Sequence, residues 1–272
     1  MCIAFTKMSG SGNDFVIIDN RVQVVDPEEK REFVAKVCTP KSSVGADGVI
    51  FIERAASKDA DFKWDFFNAD GSSAEMCGNG ARCAARYAYE RKIAPYQMRF
   101  ETEAGIIAAE VKGDVVKVKL TAPEDLRPDI CLSYQGKSYI IDYLNTGVPH
   151  AIIYSDDVDK DDILRVGQGI RFHKEFAPKG TNVDFVEKKA DDTLKIRTYE
   201  RGVEGETLAC GTGVVASAIL AALKKYVDPP VLVETRGGEI LKVYFDGANG
   251  AIDEVYLEGS TKVTFEGTLV EL

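Results

Sequence analysis

The chain has 272 residues, of which 45% are hydrophobic and 29% charged, and its formal net charge is −10 at pH 7. This length suits one large domain or two of ordinary size, and the composition is that of a globular protein. The negative charge argues against nucleic acid as a partner, because nucleic-acid binders usually present a basic face. No apolar run is long enough to span a bilayer, and the first residues lack the apolar core of a signal peptide, so we expect a cytoplasmic protein without a membrane partner.

The predicted elements follow one order twice: strands, one helix, then hairpins. In the first half, β-rich runs and turn residues predict strands at 15–19, 49–53 and 62–67, a helix at about 79–91, and further strands between 98 and 120. In the second half they predict strands at 183–187 and 195–199, a helix at about 212–225, and strands at 231–235, 240–245, 254–257 and 263–272. An additional helix at 161–172 begins with carboxylates, which suit a helix N-terminus, and it has no predicted counterpart in the first half.

Four landmarks recur in the same order at a nearly constant spacing. The offset is 135 for two of them (147 − 12 and 180 − 45) and 133 for the other two (210 − 77 and 234 − 101). The matched positions are Gly12 with Gly147, Gly45 with Gly180, Cys77 with Cys210, and Glu101 with Glu234. Such a repeat predicts two homologous halves.

We therefore predict an α+β (mixed α/β) protein with two pseudo-symmetric lobes, each a mixed or antiparallel sheet wrapped around a central helix. The N-terminal lobe covers residues 1–122 and is completed by 263–272, and the C-terminal lobe covers 123–262. Pro123 and Pro128 mark a linker between them. The helix that follows Cys210 is apolar on nearly every face, which indicates that other structure encloses it.

Two cysteines lie in nearly the same local frame, Cys77-Gly78-Asn79-Gly80 and Cys210-Gly211-Thr212-Gly213. A thiol just before a helix start lies in the positive end of the helix field, which favours thiolate and attracts carboxylate. Since the chain has only two histidines and no Cys-x-x-Cys, we expect no metal site. We interpret the other four cysteines as small buried hydrophobes: Cys2, Cys38, Cys83 and Cys131.

Two lobes that face each other would bring both thiols to one cleft. Backbone N–H groups of Gly78, Asn79, Gly211 and Thr212 would bind a carboxylate, and the two sulfurs would flank its α-carbon. A base on one face of that carbon and an acid on the other is the geometry of racemisation. The alternatives are a redox pair or two buried cysteines at tight turns. The repeated glycine-rich frame favours acid–base chemistry over both.

Several polar residues near these motifs suit a small zwitterionic amino acid. Glu200 can receive an ammonium group, and Arg201 can bind a carboxylate with two hydrogen bonds. Asn68 and Arg201 each precede their cysteine by nine residues, so the repeat equates them. His150 could adjust the proton affinity of a nearby thiol, although it could equally be a histidine satisfied at a strand end. The remaining candidates lie in the repeated glycine loops, Asn13 and Asn182.

With these motifs assembled, the chain resembles the diaminopimelate epimerase family over nearly its whole length. The resemblance rests on Gly10-Ser11-Gly12-Asn13-Asp14-Phe15, Phe67-Asn68-Ala69-Asp70-Gly71, Cys77-Gly78-Asn79-Gly80-Ala81-Arg82-Cys83, Tyr199-Glu200-Arg201-Gly202 and Ala209-Cys210-Gly211-Thr212-Gly213.

The resemblance implies a cofactor-independent epimerase, commonly a homodimer, that interconverts LL- and meso-2,6-diaminoheptanedioate for lysine and cell-wall synthesis. It implies that Cys77 and Cys210 are the acid–base thiols and that His150 and Glu200 tune them. Gly78, Asn79, Gly211 and Thr212 would hold the reacting carboxylate. The rest of the substrate would contact Asn13, Asn68, Asn182, Glu200 and Arg201.

Two positions depart from the family pattern. Val148 stands where many members have an asparagine that holds the distal end of the substrate, and Gly48 stands where some have glutamine. A racemase with relaxed specificity for simpler amino acids is therefore an alternative, and a non-catalytic amino-acid-binding protein is another.

Overall fold

The computed structural model describes residues 2–74, 76–246 and 252–270. The chain divides into two compact units, Met1–Lys119 with Glu258–Leu272, and Leu120–Leu257. The boundaries predicted from the sequence lie at 122/123 and 262/263. Among the described helices, none is long and apolar enough to cross a membrane.

The described residues form seventeen strands and four α-helices. The strands are β1 Ile3–Gly10, β2 Asn13–Asp19, β3 Gly48–Glu53, β4 Phe62–Asn68, β5 Gln97–Thr102, β6 Gly105–Lys112, β7 Val115–Leu120, β8 Glu124–Tyr134, β9 Lys137–Asn145, β10 Pro149–Tyr154, β11 Asn182–Ala190, β12 Thr193–Glu200, β13 Gly205–Thr207, β14 Val231–Glu234, β15 Ile240–Asp246, β16 Glu254–Ser260 and β17 Lys262–Leu269. The helices are α1 Lys30–Val37, α2 Gly78–Glu90, α3 Ile163–Arg171 and α4 Gly211–Leu223, and a short 3-10 helix covers Lys174–Phe176.

The strands of the first unit form a mixed series of antiparallel and parallel pairs. β1 is antiparallel to β2 and to the final strand β17, and β2 is parallel to β3. β3 is antiparallel to β4, β4 is parallel to β5, and β5 to β7 form an antiparallel meander.

The second unit repeats this pattern with β9, β10, β11, β12, β14 and β15. β9 is antiparallel to β10, β10 is parallel to β11, and β11 is antiparallel to β12. β12 is then parallel to β14, and β14 is antiparallel to β15. The same sequence of strand directions in both units is what an internal duplication predicts.

Each unit encloses one helix. α2 packs against β1, β2, β3 and β6, and α4 packs against β9 to β12, β14 and β15. Nine consecutive residues of α4, Gly213–Ala221, are buried, which explains its uniformly apolar sequence. The predicted fold class, a mixed α/β protein with sheets around central helices, is confirmed.

A second helix covers the opposite face of the strands in each unit. α1 places Val34 and Val37 against Val49 and Phe51. α3 does the same in the second unit, where Ile170 belongs to a cluster of buried residues with Phe185. The prediction that the 161–172 helix lacks a counterpart was therefore wrong. α1 escaped detection because it has only eight residues, of which three are buried.

Four other local predictions were wrong. Pro128 lies within β8 rather than in a linker, at a point where the register with β9 shifts between Arg127 and Ile130, and such irregularities accommodate proline. Cys131 is exposed because it alternates with the buried Leu132 along β8. Cys2, which precedes β1, is also exposed.

The fourth concerns the offset of 135 proposed for the strand near Gly45. In the structure Val16 pairs with Val49 and Val49 with Phe67, as Ala151 pairs with Val183 and Val183 with Tyr199. The offset is therefore 134 here (183 − 49). The residue after Phe67 is Asn68 and the residue after Tyr199 is Glu200, so the register equates Asn68 with Glu200 rather than with Arg201. Because side chains alternate between faces, this one-residue change decides which residues lie under the central helix.

A buried lysine ties α1 to the strands beneath it. The Lys30 Nζ lies 2.6 Å from Glu53 Oε1 and 2.6 Å from Asp65 Oδ2, and the side chain is 4% exposed. It also lies 4.9 Å from the centroid of the Phe51 ring. Burial favours protonation of Asp65, but hydrogen bonds from Lys30 and Lys63 outweigh it and lower the pKa of that carboxyl. Lys30 thus neutralises two carboxylates with little access to water.

We expect Lys30→Met to lower the free energy of unfolding by about 3 kcal/mol, because it leaves two carboxylates without their shared partner. Urea denaturation at pH 7 measures this. Lys63→Gln is the matched control: Lys63 contacts the same Asp65 at 2.8 Å but its side chain is 41% exposed. We expect it to cost less than about 1 kcal/mol. Equal losses in the two variants would contradict this account.

Candidate active site

In the first unit, Cys77 is the N-cap of α2. Its sulfur accepts a hydrogen bond from the Gly80 N–H at 3.5 Å, and its side chain is partly exposed. The N–H groups of the first turn, including those of Gly78 and Asn79, point out of the helix start. A thiol held in this position can exist as thiolate, and the same N–H groups can bind a carboxylate.

A network of side chains fixes the first turn of α2 against the loop between β1 and β2. The Asn79 amide donates to Asn13 Oδ1 at 2.8 Å, and the Asn13 amide donates to Asp47 Oδ2 at 2.9 Å. The fully buried Arg82 donates to Asn79 Oδ1 at 3.0 Å and to the Ser11 hydroxyl. Asn13 and Asn79, predicted separately as substrate ligands, are therefore in direct contact.

Asn68 lies at the end of β4, next to this network. Its side chain donates to Ser72 Oγ at 3.1 Å, and the N–H of the next residue, Ala69, donates to the Asp47 carbonyl oxygen at 2.9 Å. Gly48 lies on the adjacent strand. A Cβ there would come within 2.5 Å of the Phe67 carbonyl oxygen and 2.7 Å of Phe66 Cε2. The absence of a side chain at position 48 is therefore required by the packing of β4.

In the second unit, Cys210 occupies the matching position as the N-cap of α4. Unlike Cys77, its side chain accepts no capping hydrogen bond from the helix backbone. Its sulfur instead lies 3.4 Å from Thr212 Oγ1. The carbonyl oxygen of Thr212 accepts a hydrogen bond from the Thr146 hydroxyl at 2.9 Å, which fixes the first turn of α4 to the loop before β10.

His150 lies directly behind this cysteine and is fully buried. Its Nε2 is 2.9 Å from Thr212 Oγ1, and its Nδ1 is 2.7 Å from Asp184 Oδ2. Burial opposes protonation of the imidazole, but the charge of Asp184, the hydrogen bond to Asp184 and the nearby Cys210 outweigh it and raise the pKa of His150 to about 10. A protonated His150 places a positive charge on the buried side of Cys210.

The remaining predicted residues of the second unit lie at the ends of two neighbouring strands. The Asn182 side chain accepts a hydrogen bond from the Arg201 N–H at 2.8 Å and donates to the Pro149 carbonyl oxygen at 2.9 Å. Asn182 thus connects the residue before His150 to the turn that follows Glu200. The side chain of Arg201 is partly exposed, and one of its nitrogens lies 3.5 Å from the Lys179 carbonyl oxygen.

Each unit therefore brings its own predicted residues together: Cys77, Gly78, Asn79 and Asn13 in the first, and Cys210, Gly211, Thr212 and His150 in the second. Sequence reasoning missed their buried supports, which are Arg82, Asp184 and Thr198, whose hydroxyl donates to Asp184 Oδ1 at 2.6 Å. The signal for Arg82 and Asp184 was a charged residue within an apolar run. Within the described ranges no group of three or more His, Cys, Asp or Glu side chains could hold a metal ion.

Comparison with known proteins agrees with these motifs. The family model "Diaminopimelate epimerase" matches residues 5–124 and 143–263. A diaminopimelate epimerase of Aquifex aeolicus is 50% identical over 277 residues, covering 98% of each chain. Another, from Archaeoglobus fulgidus, is 43% identical and covers 99% of this chain and 97% of the relative.

Solved structures with much lower identity share the fold. A phenazine biosynthesis protein of the PhzF family from Bacillus anthracis has a TM-score of 0.73 at 17% identity and full coverage of both chains. A probable proline racemase from Agrobacterium radiobacter has a TM-score of 0.72 at 16% identity, covering 99% of this chain and 93% of that one. The family match over both halves, together with the close relatives, shows that this chain belongs to the diaminopimelate epimerase family.

Proposed function

We propose that this chain is a cofactor-independent epimerase that interconverts LL- and meso-2,6-diaminoheptanedioate in lysine and peptidoglycan precursor synthesis. A diaminopimelate epimerase that is 50% identical to this chain over nearly its full length supports this epimerase activity. The observation that carries the mechanism is the repeated placement of a cysteine: Cys77 and Cys210 are each the N-cap of the enclosed helix of their unit.

In the proposed reaction, one thiolate removes the α-proton and the other thiol delivers a proton to the opposite face of the same carbon. Cys77 and Cys210 thus exchange roles between the two directions. The negative charge left on the α-carbon spreads onto the carboxylate. The N–H groups at the starts of α2 and α4, those of Gly78, Asn79, Gly211 and Thr212, stabilise this charge.

The other ligands of the substrate come from the strand ends and loops beside the two cysteines: Asn13, Asn68, Asn182, Glu200 and Arg201. In this assignment Glu200 receives an ammonium group and Arg201 binds the distal carboxylate. His150 and Glu200 tune the acid–base chemistry of the thiols. The strand register equates Glu200 with Asn68 of the first unit. The proposal also includes a cytoplasmic location and a homodimer, and light scattering of the purified protein tests the homodimer.

We expect Cys77→Ala and Cys210→Ala each to lower epimerisation by at least about 10²-fold, because each removes one of the two proton-transfer groups. The assay is incubation with LL- and meso-diaminopimelate in heavy water, following configuration and deuterium at the α-carbon. Cys131→Ser, which alters an exposed thiol of the second unit, should match the wild type.

Full activity in either alanine variant would refute the two-base assignment. If the wild-type protein binds the substrate but never exchanges its α-hydrogen, the chain is a binding protein instead.

Val148 generates a separate prediction about specificity. Its backbone is held in a tight turn by a hydrogen bond of 3.1 Å from the Thr146 N–H to its carbonyl oxygen, and its side chain is half-buried. An apolar side chain here cannot donate to a distal carboxylate. We expect the wild type to exchange the α-proton of glutamate slowly, and Val148→Asn to raise the preference for diaminopimelate over glutamate about tenfold, the value of one hydrogen bond.

The ratio of α-proton exchange rates on the two substrates, measured by NMR in heavy water, tests this, and Val148→Ala is the control. Complete inertness of glutamate with the wild type, or the same ratio in both variants, would remove relaxed specificity as an alternative.

A further inference from the structure

A series of polar side chains in contact with one another, from Thr198 to Thr212, lies behind Cys210. The Thr198 hydroxyl donates to Asp184 Oδ1 at 2.6 Å, and the other oxygen of Asp184 meets His150 Nδ1 at 2.7 Å. His150 Nε2 meets Thr212 Oγ1, and the same Oγ1 lies 3.4 Å from the Cys210 sulfur. Asp184 and His150 are both fully buried.

The start of α4 can lie close to these side chains because its third residue is a glycine. Gly213 lies over the carboxylate, and a Cβ there would come within 2.5 Å of Asp184 Oδ1 and 3.1 Å of His150 Cε1. Glycine at the third residue of α4 therefore lets the helix start approach the carboxylate that orients the imidazole.

The first unit provides an internal comparison. Ile17 pairs with Ile50 and Ile50 with Phe66, just as Ile152 pairs with Asp184 and Asp184 with Thr198. Phe15 precedes Ile17 by two residues, as His150 precedes Ile152. The sheet positions that hold histidine, aspartate and threonine beneath α4 therefore hold phenylalanine, isoleucine and phenylalanine beneath α2, and all three are buried.

This comparison separates fold from function. The same arrangement of helix and strands packs with three apolar side chains in one unit, so the fold itself does not require polar ones. A buried carboxylate and imidazole are costly to remove from water, and replacing such pairs by apolar groups is often neutral or stabilising. The polar side chains beneath α4 therefore have a role in the second unit other than packing.

We propose that Asp184 is a positioning residue that, held by Thr198, orients the ring of His150 toward Thr212 and so provides the Cys210 thiol with a proton acceptor. This inference rests on the proposed function. It predicts that removing the charge of Asp184 changes the reactivity of Cys210 and leaves that of Cys77 unchanged.

The proposed proton shift is balanced. With a neutral imidazole, the Cys210 thiol donates to Thr212 Oγ1, whose own hydrogen points to His150 Nε2. Transfer of one proton along this path leaves a thiolate, an unchanged threonine hydroxyl and an imidazolium. The Asp184 carboxylate stabilises the imidazolium through the hydrogen bond at Nδ1. Asp184 and Cys210 are the titratable groups that act on His150, from β11 and from the start of α4.

The first test uses the wild-type protein labelled with ¹⁵N-histidine. The chain has only two histidines, so His173→Gln assigns both signals. We expect the two ring nitrogens of His150 to be protonated at pH 8, where an unperturbed histidine is neutral. A neutral His150 at this pH would overturn the proposal, and the test does not depend on whether any Asp184 variant folds.

The second test follows alkylation of Cys77 and Cys210 by iodoacetamide in the same sample, by peptide mass spectrometry as a function of pH. Asp184→Asn keeps the shape of the side chain but removes its charge. We expect Cys210 alkylation to slow about tenfold at pH 7, with its half-maximal rate moved up by about one pH unit, while Cys77 is unchanged.

Asp65→Asn is the matched control. It removes a partly buried, ion-paired carboxylate from the first unit, outside the site, and should change neither thiol. Equal slowing of both cysteines, or of neither, in Asp184→Asn would contradict the proposal. Neither measurement requires turnover, so they are separate from the failure of the proposed function, which would appear as full epimerase activity after loss of Cys77 or Cys210.

Discussion

The close contact between a helix start and the sheet beneath it is the constraint on which both candidate half-sites depend. The third residue of each enclosed helix lies over the strand that supplies Ile50 in one unit and Asp184 in the other. An added Cβ at Gly80 would lie 3.2 Å from Ile50 Cδ1, and one at Gly213 would lie 2.5 Å from Asp184 Oδ1. Glycine at these positions lets the helix begin against the strands. The cysteine before each helix therefore lies at the positive end of the helix dipole, next to the sheet.

The two units use this shared frame differently. Beneath α2 the strands present apolar side chains, and the polar support of the first turn comes from Asn13 and Arg82 at its side. Beneath α4 the strands present His150 and Asp184, and the polar support reaches the cysteine through Thr212. The two cysteines thus occupy the same N-cap position, but the sheet residues beneath the two helices give them different surroundings.

Much of the fold was predictable because its signals are local. The enclosed helices follow a glycine-rich turn and an apolar run, and the β-rich segments were placed to within a few residues. The strands β1, β8, β9, β10 and β13 were not predicted, and neither was the helix α1. α1 is short and is stabilised by Lys30, whose partners Glu53 and Asp65 are distant in sequence. Pro128 was misinterpreted because an irregular strand pair accommodates a proline that a regular one would exclude.

By itself, the sequence determined the duplication, the two Cys-Gly-x-Gly motifs and the candidate residues around them, because each is a short pattern that can be read along the chain. Only the tertiary structure decided what lies behind Cys210. The partners of Asp184 are 34 residues away at His150 and 14 at Thr198, and their meeting depends on strand register. The sequence repeat predicted an offset of 135 between β3 and β11, whereas the strand register gives 134. Because side chains alternate along a strand, a difference of one residue moves a side chain to the opposite face of the sheet.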